Sequence, residues 1–197
     1  NPVFIIAEMS CNHLQKYEYA EKIVREAAKA GADAIKLQTY TADTMTIDCD
    51  NEYFQLKGTI WEGKNLYQLY QEAYTPWEWH EDLFKEAKNQ DIVCFSTPFD
   101  KSAVDFLEDL GNPIIKIASF EITDVNLIRY AASKGKPMVL STGIAMQEDI
   151  ELAIHACHEA GNDDITLLRC VSAYPASIEN VNLLTMQDMK ERYGVKI

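Results

Sequence analysis

The chain has 197 residues, of which 47% are hydrophobic, and carries a net charge of −13 at pH 7. This length and apolar content suit one sizeable core, and the acidic balance argues against nucleic acid or an anionic membrane as a partner. No apolar run approaches the roughly 20 residues of a membrane span. The five cysteines include no close metal-type pair, and their odd number makes reduced thiols and a cytoplasmic protein the simpler account.

Strand and helix patterns alternate from the start of the chain. An apolar strand over 3–7 ends at Glu8, and an amphipathic helix over 17–30 stops at Gly31, the residue best suited to a left-handed helix end. The next strand, 32–39, is mostly apolar but contains Lys36 and Gln38. Because strand side chains alternate, these two point to one face.

The middle of the chain begins with a connection, 40–74, that is too long to be ordinary and is predicted to be functional. It holds one short helix pattern at 65–73, and Thr75 and Pro76 are predicted to cap and begin a helix that runs to about residue 90. Further strands are predicted at 92–95, 114–118, 138–140 and 165–171, with a seventh strand starting at 195–197. The helices between them are predicted to begin after Asp100, at Thr123 or Asp124, at 147 and at 183.

Six strand–helix units with short returns predict an all-parallel α/β fold. No G-x-G-x-x-G follows the first strand, so a dinucleotide-binding fingerprint is absent. Polar residues instead recur at the carboxyl ends of successive strands, which suits a (β/α)8 TIM barrel better than a doubly wound sheet. Such a barrel needs about 250 residues, so the chain is expected to cover about strands 1–7 of an incomplete barrel. The recurring residues are Glu8, Lys36, Gln38, Thr97, Lys116, Ser119, Ser141 and Ser172.

These side chains predict an anion site. A lysine on a buried strand face needs an anionic partner or a lowered pKa, and the plainer interpretation of Lys36 is a side chain that reaches past the strand end into water. Because the pattern recurs, Lys36 and Lys116 are expected to bind one anion, and the strand-end hydroxyls suit a phosphate and a carboxylate. Glu8, His13 and Glu121 are candidates for handling protons or sugar hydroxyls. The plainer interpretations are that His13 is a loop histidine with its own hydrogen bonds and that each serine alone serves a turn. For His80 a packing role is expected.

Six stretches in order resemble the sialic acid synthase family. They are AEMSCNH (7–13), GADAIKLQTYTADTMTI (31–47), YTPWEWH (74–80), FSTPFD (95–100), KIASFEI (116–122) and LSTGIA (140–145). Within that family, QTYTADT, YTPWEWH and KIASFEI look most like pseudaminic acid synthases. The resemblance covers nearly the whole chain and makes 1–197 the N-terminal part of a TIM-barrel synthase domain.

The resemblance implies condensation of phosphoenolpyruvate with an open-chain acetamido sugar, 2,4-diacetamido-2,4,6-trideoxy-L-altrose, to give a nine-carbon sugar acid and phosphate. By position, the phosphoenolpyruvate contacts are Lys36, Lys116, Thr97, Ser119, Ser141 and Ser172, and some members carry Asn in place of Ser172. Glu8 matches a glutamate near the reacting sugar carbon, and Glu121 and Tyr174 match the sugar-binding side.

The resemblance also implies a divalent metal, Mn²⁺ or Mg²⁺, and a homodimer in the complete protein. The family's two metal-binding histidines follow strand 7 and are expected beyond Ile197, as is a small antifreeze-like C-terminal domain. The chain as written is therefore expected to lack metal binding and activity. Leu14 and Gln15 stand where relatives often have Asn-Gly, so the first loop is expected to differ in shape.

Other functions stay open from the sequence. Within the family, they are synthesis of N-acetylneuraminate or legionaminate, or a spore-coat polysaccharide role. Outside it, a Schiff-base aldolase would use Lys36 or Lys116 as nucleophile, and a non-catalytic sugar-phosphate binding protein would bind ligand without releasing phosphate.

Overall fold

The structure is a computed structural model that describes residues 3–58, 61–173 and 175–197. It divides into two compact units, Asn1–Ser96 and Thr97–Ile197. In each unit, parallel strands alternate with helices.

The first unit begins with a short strand and a long helix. Its elements are β1 (Ile6–Glu8), α1 (Tyr17–Lys29), β2 (Ala34–Thr39), α2 (Ala42–Met45), α3 (Leu66–Ala73), a 3₁₀ turn (Trp77–Trp79), α4 (His80–Asn89) and β3 (Val93–Pro98), inside which the unit boundary falls. β1 and β2 pair in parallel, with Glu8 opposite Lys36. The Val93 backbone N–H donates to the Asp33 carbonyl at 3.0 Å, so β3 follows β2 in the sheet.

Apolar side chains on the helix-facing side of β2 hold the first unit together. Ile35 and Leu37 are fully buried and belong to one cluster with Val24 of α1 and Leu83 of α4. Burying side chains of this size stabilises the fold by about 1.5–3 kcal/mol each. Lys36 and Gln38 alternate with them along the strand and so lie on its other face.

The second unit repeats the same pattern. Its elements are α5 (Lys101–Asp109), β4 (Ile115–Ile117), a 3₁₀ turn (Ser119–Thr123), α6 (Val125–Ala132), β5 (Met138–Ser141), α7 (Gln147–Glu159), β6 (Ile165–Leu168), a 3₁₀ turn (Ile178–Asn180) and α8 (Thr185–Tyr193). β4, β5 and β6 pair in parallel and in chain order. The fully buried Ile117, Leu140 and Leu167 join Ile128 of α6 in one core.

The helix caps expected at acidic residues are present. The Asp100 carboxylate accepts hydrogen bonds from the backbone N–H groups of Ser102 and Ala103 at 3.2 and 3.0 Å, and Asp124 accepts from Leu127 at 2.9 Å. Gly31 has φ +88°, as its place after α1 predicts. At these three residues the local signals place the helix ends correctly, because each signal needs only neighbouring atoms.

The cap predicted at Thr75 is wrong. The 3₁₀ turn over Trp77–Trp79 precedes α4, and no side-chain cap bond is formed there. The Thr75 hydroxyl instead lies 3.3 Å from His13 Nε2, a residue 62 positions away in sequence. The Thr75 hydroxyl therefore bonds to a residue distant in sequence and does not form the helix cap that the local pattern predicts.

The parallel alternation confirms an α/β fold of the barrel type, of which this chain supplies part. The seventh strand expected at 195–197 is represented by a parallel bridge between Thr166 and Lys196. In the described ranges, the helices lack the combination of length and apolar character that crossing a membrane requires.

Candidate functional site

Lys36 and Glu8 form an ion pair at the carboxyl end of the first two strands. Glu8 is the last residue of β1 and its Oε2 atom contacts Lys36 Nζ. The lysine side chain is only 14% exposed, whereas the glutamate side chain is 41% exposed. The sequence predicted that a lysine at this place needs an anion, and in this structure Glu8 supplies it.

Two further donors hold the same carboxylate. Glu8 Oε1 accepts from Gln38 Nε2 at 3.3 Å and from the Ser10 backbone N–H at 3.2 Å. Ser10 has φ +50°, so its amide is offered from a left-handed turn directly after the strand. We call Glu8, Lys36, Gln38 and the Ser10 amide the Lys36 cluster. An ammonium, an amide and a backbone N–H that converge on one carboxylate form an anion-binding arrangement.

His13 is a buried residue of the first loop with a hydrogen-bond partner at each ring nitrogen. It is fully buried, its Nδ1 accepts from the Gln15 backbone N–H at 3.1 Å, and its ring packs edge-on against Trp79 with centroids 5.5 Å apart. Because Nδ1 accepts, Nε2 carries the proton and donates to the Thr75 hydroxyl. Burial lowers the pKa of His13. These contacts fit the plainer interpretation of this residue, a histidine held by its loop.

The first loop contains two consecutive residues in the left-handed region. Leu14 and Gln15 have φ +51° and +55°, a conformation that costs such residues roughly 1–2 kcal/mol each. The Gln15 side chain offsets part of this cost, since its Nε2 donates to the carbonyls of Glu72 and Tyr74 at 3.1 and 2.5 Å. The loop is thereby tied to the end of α3.

In the second unit, Lys116 and Glu121 are the charged groups of interest. Lys116 lies in β4, is 6% exposed and donates from Nζ to the Ile117 carbonyl at 2.6 Å. Glu121 follows in the 3₁₀ turn, and its Oε2 is buried without a hydrogen-bond partner in the described structure. Burial raises the pKa of Glu121, an effect that its own backbone hydrogen bond and the charge of Lys116 partly oppose.

Three serine hydroxyls and a thiol surround the loop after β5. The Gly143 backbone N–H donates to Ser119 Oγ at 3.2 Å, and Cys170 Sγ lies 3.4 Å from Ser141 Oγ. A Cβ atom at Gly143 would collide with Ser172 Oγ and would lie 2.9 Å from Ser119 Oγ. Only a glycine therefore leaves these hydroxyls in place. We call Ser119, Ser141, Gly143, Cys170 and Ser172 the hydroxyl cluster.

Two residues of the predicted site remain, Thr97 and Tyr174. Thr97 lies in β3 and is 1% exposed, and within the described ranges its Oγ1 has no hydrogen-bond partner. A buried hydroxyl without a partner is costly in a protein and is often explained by a ligand or water. Tyr174 lies outside the described residues.

Several residues of these clusters were not singled out from the sequence. Ser10 contributes only its backbone, which no side-chain pattern reveals, and nothing in the sequence distinguishes Cys170 from the other four cysteines. Gly143, in contrast, is part of the Ser-Thr-Gly stretch at the end of β5, which lies within one of the family motifs. A glycine beside predicted phosphate-binding serines was a usable signal, because close backbone approach is a standard reason for glycine.

Comparison with known proteins agrees with these features. A model of the NeuB family matches residues 23–197. Pseudaminic acid synthase of Helicobacter pylori is 48% identical over 195 residues, which are 99% of this chain and 57% of that protein. N,N'-diacetyllegionaminic acid synthase of Campylobacter jejuni is 36% identical over 98% of this chain and 58% of its own length.

A solved structure gives the same result for the fold. N-acetylneuraminic acid synthetase from Leptospira borgpetersenii, crystallised with citrate, aligns with a TM-score of 0.86 and 32% identity over 99% of this chain and 63% of that one. The chain thus spans a little over half the length of the synthases that it matches. From the family match and these identities, the chain belongs to the NeuB family of sugar acid synthases.

Proposed function

We propose that the complete protein condenses phosphoenolpyruvate with an open-chain diacetamido sugar and water, giving a nine-carbon sugar acid and inorganic phosphate. The Lys36 cluster is the observation that carries this proposal. Three donors hold one carboxylate at the carboxyl end of parallel strands, where substrates of α/β enzymes bind. In this proposal the substrate anion replaces Glu8 on Lys36.

This exchange explains why both groups are needed. A largely buried ammonium is costly without a counter-ion, and Glu8 supplies one while the substrate is absent. Phosphoenolpyruvate then brings its own negative charge to Lys36. The displaced Glu8 carboxylate, which is the more exposed partner, is free to accept a hydrogen bond from the sugar.

The second unit offers donors for the same class of anion. The hydroxyl cluster presents serine oxygens around a glycine that cannot be enlarged without collision. The buried Thr97 hydroxyl has no hydrogen-bond partner within the described residues, so it can bond to a ligand. Hydroxyl and backbone donors of this kind are typical of phosphate sites.

The proposed reaction balances without a redox partner. The C3 atom of phosphoenolpyruvate forms a bond to the aldehyde carbon, whose oxygen takes a proton and becomes a hydroxyl. Water adds its oxygen to C2 and loses one proton, and the resulting tetrahedral centre expels phosphate by cleavage of the bond between C2 and the phosphate oxygen. The second proton of the water leaves as the C2 hydroxyl becomes a keto group, so the two protons balance those taken up by the aldehyde oxygen and the departing phosphate. We assign the proton on the aldehyde oxygen to Glu121, whose raised pKa favours the protonated acid.

The resemblance also implies a divalent metal that polarises the aldehyde. In residues 3–58, 61–173 and 175–197, no three His, Cys, Asp or Glu side chains are arranged to hold a metal ion. These residues therefore do not fit a metal site, and the steps above use protein groups alone. We propose that Mn²⁺ or Mg²⁺ is held by residues outside this chain.

For the sugar we propose the pseudaminate precursor, 2,4-diacetamido-2,4,6-trideoxy-L-altrose. The support is the gap between 48% identity to a pseudaminic acid synthase and 36% to a legionaminic acid synthase over nearly the same residues. The experiment measures phosphate release by the complete protein with Mn²⁺ and phosphoenolpyruvate, comparing this altrose with N-acetylmannosamine. Turnover with the altrose alone is expected. Turnover with N-acetylmannosamine alone would contradict the sugar assignment, and no turnover with any acetamido sugar would contradict the reaction.

A further inference from the structure

A second polar group lies behind β2, on the face opposite Lys36. His80 Nε2 lies 2.8 Å from Thr39 Oγ1, and Thr39 Oγ1 lies 2.6 Å from Ser96 Oγ. His80 Nδ1 lies 3.2 Å from the Pro76 carbonyl oxygen. Thr39, His80 and Ser96 are all fully buried. We call these three residues the His80 network.

The hydrogen bonds of the His80 network have one consistent direction. A carbonyl oxygen can only accept, so His80 Nδ1 carries the proton and donates to Pro76. In a neutral ring, Nε2 must then accept, and the Thr39 hydroxyl donates to it. The Thr39 oxygen in turn accepts from Ser96. The Thr39 proton is therefore used in the bond to His80, and the Ser96 proton is used in the bond to Thr39. If the bond between Thr39 and Ser96 were reversed, Thr39 could no longer donate to His80.

Burial keeps this arrangement in a single protonation state near neutral pH. It lowers the pKa of His80 to about 4, although hydrogen bonds to the backbone of Pro76 and Trp77 oppose the change. Below that pKa, Nε2 would acquire a proton and could no longer accept from Thr39. A buried hydrogen-bond network whose members are satisfied resists rearrangement, because breaking one of its bonds costs free energy.

The His80 network reaches the Lys36 cluster through one strand. Thr39 is the last residue of β2, and Gln38 and Lys36 precede it on the opposite face. His80 is the first residue of α4, whose Leu83 packs in the core beneath β2. A movement of Thr39 therefore moves the backbone that carries Gln38, which donates to Glu8.

We propose that His80 is a positioning residue for the anion site: through Thr39 it fixes the end of β2, and so holds Lys36 and Gln38 where a substrate anion binds. This role rests on the proposed function of the Lys36 cluster. It differs from a packing role because it depends on an acceptor at Nε2 and on the Thr39 hydroxyl, not on side-chain volume.

Paired variants of the complete protein test the proposal. His80→Leu and Thr39→Val keep bulk but remove the acceptor and the hydroxyl, whereas His80→Gln and Thr39→Ser keep them. We expect the first two to raise the KM for phosphoenolpyruvate about tenfold with a smaller change in kcat, and the second two to restore it to within about threefold. His155→Leu, at an exposed histidine of α7, is the control.

Equal KM values in folded His80→Leu and wild type would overturn the proposal, and so would His80→Gln behaving like His80→Leu. If the apolar variants do not fold, the ¹⁵N shifts of the His80 ring decide. A protonated Nδ1 and a bare Nε2 at pH 6 are expected, and the opposite tautomer or a charged ring would contradict the network. A wild-type protein that releases no phosphate would instead contradict the proposed function, while the nitrogen shifts still report on His80.

Discussion

Lys36 Nζ is paired with the Glu8 carboxylate across two parallel strands whose register sets these residues opposite each other. The pair lies where the sequence predicted a substrate anion, and a protein carboxylate takes that place. We interpret Glu8 as the counter-ion that Lys36 exchanges for phosphoenolpyruvate. Each variant described here is made in the complete protein.

Replacing Lys36 by Met should weaken phosphoenolpyruvate binding by about 2–5 kcal/mol, because a substrate charge then enters a site without its cation. Isothermal titration calorimetry with phosphoenolpyruvate alone measures this directly. Lys29→Met is the matched control, since Lys29 forms an exposed pair with Glu26 on α1. Unchanged affinity in a folded Lys36→Met protein would remove Lys36 from the anion site.

Replacing Gly143 by Ala should also weaken phosphoenolpyruvate binding, because the new methyl group collides with Ser172 Oγ and crowds Ser119 Oγ. Because both hydroxyls end side chains that can rotate away, the cost to stability is expected near the low end of the roughly 1–3 kcal/mol of overpacking. The double variant Gly143→Ala/Ser172→Gly removes the worst collision. It should recover stability against urea but not phosphoenolpyruvate affinity, since a hydroxyl is lost. Full affinity in the single variant would exclude the hydroxyl cluster from binding.

Replacing Glu121 by Gln should lower kcat about 10²–10⁴-fold, the usual contribution of a positioned acid, with little change in phosphoenolpyruvate affinity. The wild-type kcat should fall at high pH as the carboxyl loses its proton, and this limb of the pH profile should disappear in the variant. A variant that retains wild-type turnover would show that another group protonates the aldehyde oxygen.

His80 predicts a loss of stability in acid. Its pKa is about 4 in the folded chain against an ordinary value of 6.5, so the unfolded chain binds the proton more tightly. Stability should therefore fall as the pH drops from about 6.5 to 4, by about 3 kcal/mol for this residue. Urea unfolding of wild type and His80→Gln at several pH values checks this, with a flatter profile expected for the variant. His13 has the same sign and remains in both proteins, so identical profiles would contradict the assignment to His80.

Borohydride treatment with phosphoenolpyruvate and sugar should label no lysine, because Lys36 acts here as a cation and not as a nucleophile. Mass spectrometry of the treated protein provides the measurement. A substrate adduct on Lys36 or Lys116 would favour the Schiff-base aldolase mechanism.

The sequence predicted the parts of the fold that depend on neighbours in the chain. Asp100 and Asp124 cap their helices as expected, and Lys36 was identified as a buried charge that needs an anion. The source of that anion was not predictable, because the contact between Glu8 and Lys36 depends on strand register.

Misplaced boundaries have a common physical cause in contacts that are distant along the chain. β3 was predicted to end at Phe95, since Ser96 and Thr97 resemble the start of a loop. The strand continues to Pro98, and the Ser96 hydroxyl within it is buried against Thr39, 57 residues away in sequence. Thr75 is a second example, because its hydroxyl contacts the distant His13 and does not cap α4.

A crystal structure of the complete protein with phosphoenolpyruvate tests the central claim most directly. We predict that an anionic group of the substrate contacts Lys36 Nζ and that the Glu8 carboxylate has left it. Phosphoenolpyruvate bound elsewhere, with the Lys36–Glu8 pair intact, would contradict the account.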